Sequence, residues 1–137
     1  MLTITDNIPS KLELIPKVIL KIIEGVKPAV EERELFNIKL SLEEALVNAI
    51  KHGNKLNPEL SVSIVAELNR DLLRIKVQDQ GEGFDFREVP NPTAGSNLHK
   101  TSGRGIFLIK NLMDRVEYFD CGRGIEMIKF LRQGGKT

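Results

Sequence analysis

The chain has one cysteine, Cys121, and two histidines, His52 and His99, among 137 residues. A lone cysteine excludes an internal disulfide framework, and one thiol with two separated imidazoles does not complete a closed structural zinc site. Excess charge is also missing, since 20 Lys+Arg stand against 19 Asp+Glu for a formal charge of +1. Affinity for polyphosphates comes mainly from surplus cations, so direct binding to nucleic acid or an anionic membrane is not expected. No apolar run is long enough to span a membrane, and the start, Met1-Leu2-Thr3-Ile4-Thr5-Asp6, lacks a charged stretch leading into a hydrophobic one. The expectation is a cytoplasmic protein without a secretory signal. What is present, 41% apolar and 28% charged residues, fits one domain spanning 1–137 that rests on its own apolar core.

Glycine and proline punctuate the chain, which has no internal repeat. Leu2 and Ile4 alternate with polar residues, as in an edge strand. Leu12, Ile15, Ile19, Ile22 and Val26 then recur at helical spacing, with Pro16 delaying the regular helix and Pro28 ending it. From Glu31 to His52 a longer helical pattern, through Leu35, Ile38, Leu42, Ala45, Leu46 and Ala49, stops at Gly53-Asn54. Leu60, Val62, Ile64, Ala66 and Leu68, then Leu73, Ile75 and Val77, alternate across Asn69-Arg70-Asp71 and predict a hairpin. Residues 81–102 show little periodicity; a connection this long inside a domain reads as a lid. Helical spacing resumes at Ile106 to Met113, and Val116 to Phe119 and Ile125 to Leu131 read as strands around Cys121-Gly122, the last with ambiguous faces. The order β, α, α, β, β, lid, α, β, β predicts an α+β two-layer sandwich, a mostly antiparallel sheet with its helices on one face.

Three constellations could carry chemistry. Glu44 and Asn48, spaced i, i+4 on the second helix, share a polar stripe with Asn37, Ser41 and Lys51. Such a stripe is usually the solvated side of an amphipathic helix. The functional alternative is that Glu44 is a general base and the Asn48 amide oxygen ligates a hard cation such as Mg²⁺. Glu43 points about 100° away and suits that role poorly. Next, Asp79-Gln80-Gly81-Glu82-Gly83-Phe84 follows a strand whose alternation puts Asp79 on the buried face, which is costly for a carboxylate unless something satisfies it. A turn-forming Asp-x-Gly is the plain reading. The functional one has the carboxylate accept a hydrogen bond from an exocyclic amine such as adenine's, with Gly81 and Gly83 allowing close approach of the base. Last, Thr101-Ser102-Gly103-Arg104-Gly105 feeds a helix whose free N–H groups could bind phosphate, with Lys100 and Arg104 in reach. No Gly-x-x-x-x-Gly-Lys-Ser/Thr loop occurs, so a nucleotide would be held by a different architecture.

Together, Glu-x-x-x-Asn on a helix, Asp-x-Gly-x-Gly-Phe after a strand and Gly-x-Gly at a helix start resemble the ATP-binding fold shared by DNA gyrase, heat-shock ATPases and sensor histidine kinases. The closer resemblance is to the anti-sigma-factor serine kinases of bacteria. It is carried by Glu43-Glu44-Ala45-Leu46-Val47-Asn48-Ala49-Ile50-Lys51-His52-Gly53, by Gly103-Arg104-Gly105-Ile106-Phe107-Leu108-Ile109 and by Met113-Asp114-Arg115-Val116-Glu117-Tyr118.

The resemblance implies that Asn48 ligates Mg²⁺ bridging the phosphates of ATP and that Asp79 reads the adenine amine. Gly81, Gly83, Gly103 and Gly105 would shape pocket and lid, and Glu44 would activate a serine hydroxyl of an anti-anti-sigma protein. It also implies a sigma factor as partner and a homodimer, for which Leu14, Val18 and Leu20, surplus apolar positions on the first helix, mark a place to look. One departure is Gly124-Ile125-Glu126 in the last strand, where this fold often has a threonine near the adenine. The alternative function is a non-catalytic ATP-binding module that regulates a protein partner without phosphorylating it; Glu44 favours the kinase, because a pure binder needs no base beside a metal ligand.

Overall fold

Alternation and helical spacing divide the chain as expected into a sheet and a layer of helices. The structure, a computed structural model, describes residues 1–82 and 108–131. Its elements are β1 (Leu2–Pro9), α1 (Ile15–Val26), α2 (Glu32–Val47), β2 (Ser61–Leu68), β3 (Leu72–Gln78), a helical stretch at 108–112 termed α3, β4 (Arg115–Phe119) and β5 (Gly124–Phe130). The strands form one five-stranded sheet in the order β1-β2-β3-β5-β4, antiparallel at every step. The expected α+β sandwich is the observed architecture.

Register sets the buried face. Ile64, Val77 and Ile125 lie side by side across three strands, and Ala66, Ile75 and Met127 do so one step along. The helices cover them with Ile15, Val18, Ile19 and Ile22 from α1 and Ile38, Leu42 and Leu46 from α2. Each fully buried aliphatic side chain contributes about 1.5–3 kcal/mol. The opposite face carries charge. Arg74 lies 3.1 Å from Glu126 and 3.8 Å from Glu67 there.

Local chemistry explains the helix ends. Pro16 sits in the first turn of α1, where its missing N–H costs nothing, behind a 3₁₀ turn at Leu12–Leu14. Pro28 does not itself end α1; the helix closes at Val26 and tightens into a second 3₁₀ turn, Lys27–Ala29, in which Pro28 again occupies an early position. Glu31, in extended backbone, opens α2, and Glu32 and Glu34 in its first turn suit the positive end of the helix dipole. The second helix does not run regularly to His52. From Asn48 to Gly53 it widens into a π-helical turn, with the Asn54 N–H donating to the Ala49 carbonyl at 2.8 Å.

One expectation from periodicity is corrected and one ambiguity is resolved. Val18 is a core residue and Leu14 packs against the core, so of the three apolar positions proposed for a dimer surface only Leu20 is exposed, at 60%. The ambiguity of β5 has a cause, which is that Lys129 shares the helix-facing side with Ile125 and Met127 and is buried there.

Candidate functional site

Extending β3 by one residue brings Asp79 to the end of α2. Its N–H donates to the Arg123 carbonyl at 2.9 Å, continuing the pairing with β5. The residue is 7% exposed, as the alternation of β3 predicts. Its Oδ1 accepts the Gly81 N–H at 2.8 Å. A Cβ on Gly53 would overlap the Asp79 carboxylate, and one on Gly81 would overlap the Gly53 carbonyl. The π turn and the Asp79–Gly81 turn therefore touch through backbone and carboxylate alone, which only glycine allows at both positions. Burial pushes the Asp79 carboxyl above its ordinary 3.8, while the Gly81 N–H and the Arg123 guanidinium pull it down and Asp120 adds to the rise.

Apart from Lys51, which is exposed, the polar stripe of the second helix is withdrawn from solvent. Ser41 is fully buried, and Asn37, Glu44 and Asn48 are half-buried. Neither the Ser41 hydroxyl nor the Asn48 Oδ1, both closed to solvent, has a hydrogen-bond partner among the described residues. An unsatisfied buried acceptor costs about 1–3 kcal/mol, and π turns concentrate at functional sites. Asn48 opens this one. An amide oxygen without a partner is a suitable donor for a hard cation. Burial raises the Glu44 carboxyl above its ordinary 4.5, and the charge of neighbouring Glu43 raises it further. Glu43 itself is exposed.

Three residues to which the sequence analysis gave no part in the site hold this arrangement together. Gly53 admits the Asp79 carboxylate. Asn54, which in the sequence reads only as a helix stop, is buried; its Oδ1 accepts the Gln80 N–H at 2.8 Å, and its Nδ2 donates to the Ser10 Oγ at 2.8 Å and the Ser61 carbonyl at 2.9 Å. Arg123 donates from Nε to the Gly81 carbonyl at 2.7 Å. Asn54 reaches Ser10 and Gln80, 44 and 26 positions away, and Arg123 reaches Gly81, 42 away, so no local pattern marks these contacts. A polar cavity of about 310 Å³ opens beside the turn, between Asn7, Ser63, Gln78 and Arg123.

Residues 8–129 match the histidine kinase-like ATPase domain family. The chain belongs to that family. Among curated proteins, this histidine kinase-like ATPase domain is similar to serine-protein kinase RsbW of Staphylococcus epidermidis, with 34% identity over 103 residues covering 69% of this chain and 65% of the relative. RsbW of Listeria innocua is 29% identical over 104 residues, 71% of this chain and 66% of the relative. The chain thus spans about 65% of the length of the Staphylococcus epidermidis relative it matches. Among solved structures, the RsbU and RsbW domains of Rv1364c from Mycobacterium tuberculosis share its fold, with a TM-score of 0.63 at 14% identity over 96% of this chain and 32% of that one. The likeness to anti-sigma-factor serine kinases carried by the motifs is the one these relatives display.

Within the domain, Glu44, Asn48, Asp79 and Gly81 lie among the described residues, and the contact between Gly53 and Asp79 joins the end of the second helix to the strand turn. Gly83, Lys100, Thr101, Ser102, Gly103, Arg104 and Gly105, with nearly all of the lid expected at 81–102, lie outside the described residues. In the last strand Ile125 stands opposite Val77, diagonal to Asp79, and is buried. Its side chain is apolar, belongs to the core and offers no hydroxyl. Among the described residues no helix is long and apolar enough to cross a membrane.

Proposed function

We propose that this chain is an ATP-dependent protein-serine kinase that phosphorylates an anti-anti-sigma protein and sequesters a sigma factor, acting as a homodimer. The observation that carries the reading is Asp79, a buried carboxylate with one oxygen engaged by Gly81 and the other against Gly53, at the end of the helix bearing Glu44 and Asn48. Keeping a carboxylate there disfavours its charged form, which is the usual mark of a group placed for recognition or catalysis.

In this reading Asp79 accepts the adenine amine and repels the carbonyl oxygen that guanine would present. The Ile125 side chain walls the base without a threonine hydroxyl. Asn48 Oδ1, without a hydrogen-bond partner among the described residues, would hold Mg²⁺, and the residue type fits. When bound, the metal supplies charge neutralisation across the phosphates. Gly83, Lys100, Thr101, Ser102, Gly103, Arg104 and Gly105 are assigned to the lid and the phosphates. Glu44 takes the proton of the acceptor serine as its oxygen bonds to the γ-phosphorus and ADP leaves. Burial makes the Glu44 carboxylate a stronger base than an exposed one, which suits that work, and the relatives named serine-protein kinase support phosphoryl transfer to a serine as the reaction.

The test is incubation with Mg²⁺, γ-labelled ATP and a co-encoded anti-anti-sigma candidate. Label on a serine of that partner is the expected result. ATP binding without transfer to it would favour the non-catalytic module.

A further inference from the structure

We infer that Asn54 and Arg123 set the base specificity of this site by clamping the Asp79-Gln80-Gly81 turn from opposite sides. They are positioning residues, and the inference rests on Asp79 being the group that reads adenine. A single acceptor discriminates an amine from a carbonyl only while it is held still. A carboxylate free to swing could withdraw and let water mediate contact with the wrong base.

The turn is tied at each residue. From the sheet side Arg123 accepts the Asp79 N–H through its carbonyl at 2.9 Å and donates from Nε to the Gly81 carbonyl at 2.7 Å. From the helix side Asn54 accepts the Gln80 N–H at 2.8 Å. The Gln80 side chain takes the Ser61 N–H at 2.7 Å, and Gly81 holds Asp79 Oδ1 itself at 2.8 Å. Rotation of the carboxylate is thereby opposed, and Oδ2, beside Gly53, has no hydrogen-bond partner among the described residues.

The chain accepts strain to deliver Asn54. It follows directly on the π turn, and Lys55 and Leu56 after it have φ of 53° and 61°, in the left-handed region that non-glycine residues avoid. Such strain persists where surrounding structure over-determines it, and it clusters at ligand sites. At the other anchor Asp120 and Cys121 are also left-handed, at 52° and 54°, and the turn they build presents Arg123. Its Nη1 is braced by the Asp120 carbonyl at 3.3 Å.

Calorimetric titration of the full chain with Mg-ATP and Mg-GTP tests this. Wild type should prefer ATP. Arg123→Lys, which keeps the charge and the backbone carbonyl but loses the Nε geometry, and Asn54→Ala should each shrink the ATP-to-GTP affinity ratio about tenfold. As a control for mere destabilisation, Asn69→Ala removes an acceptor of two turn N–H groups in the distant β2–β3 hairpin. It should lower the melting midpoint and leave the ratio alone. A folded Arg123→Lys or Asn54→Ala with the wild-type ratio overturns the clamp, as does an equal change in Asn69→Ala. A wild type with no preference for ATP overturns instead the assignment of Asp79. Arg123 lies at a hairpin turn with its side chain partly exposed, so its variant is expected to fold and decides the matter if Asn54→Ala does not.

Discussion

The Lys129 ammonium lies 2.8 Å from the Glu34 carboxylate and 2.7 Å from the Leu112 carbonyl, so one buried cation joins the first turn of α2 to the end of α3. The same charge satisfies both a carboxylate and a helix C-terminus. The hydrogen bond from Lys129 holds the Glu34 carboxyl below its ordinary 4.5 against the upward pull of burial. A depressed folded-state value means that this stability is fully present above the unfolded-state value and is lost as pH falls through the folded one. Lys129→Met keeps the volume and removes the cation, which should cost about 2–3 kcal/mol near pH 7. The loss should shrink below about pH 4.5, where Glu34 takes up its proton. Urea titrations at neutral and acid pH measure it; the same loss at both would contradict the pairing.

Asp79 has the opposite sign. Its folded-state carboxyl is raised by burial, so its ionisation costs more in the folded protein, and the stability it confers is full below about 3.8 and lost as pH rises through the folded value. Asp79→Asn should therefore leave the ligand-free protein at least as stable at neutral pH. It should nonetheless weaken ATP binding at least about tenfold, since a charge-assisted bond of roughly 1.5–3 kcal/mol is lost. Thermal unfolding and calorimetry on one preparation check both halves. Unchanged affinity would remove Asp79 from adenine recognition.

Glu44→Gln separates binding from chemistry. Nucleotide affinity should stay near wild type while phosphoryl transfer slows by about 10²–10⁴. Because burial and Glu43 raise the Glu44 carboxyl, the acid limb of the wild-type rate profile should inflect above 4.5. A variant that transfers phosphate at the normal rate would show that another group takes the proton.

Gly53→Ala tests the contact between the π turn and the strand turn. The added methyl would meet the Asp79 carboxylate, and overpacking of this kind costs about 1–3 kcal/mol. ATP affinity should fall with it, because the carboxylate must move. A variant with wild-type melting and wild-type affinity would mean that the turns have room to separate.

Much of this protein was legible in its sequence. The alternation of Leu73, Ile75 and Val77 is a local property of extended backbone, and carrying it one step further placed Asp79 on the buried face. The spacing of Ile38, Leu42, Ala45 and Leu46 is likewise local to a helix, and it put Glu44 and Asn48 on one stripe. Tertiary structure decided whether that stripe meets water, because burial of Ser41 and of the Asn48 oxygen depends on what packs against the helix and not on the helix itself. It also decided where Lys129 finds its carboxylate, and that misplaced cation is what blurred the faces of β5. Asn54 and Arg123 are the clearest case. Each acts on backbone groups brought near only when α2, β3 and β5 assemble, so their roles arise from distances that no stretch of sequence contains.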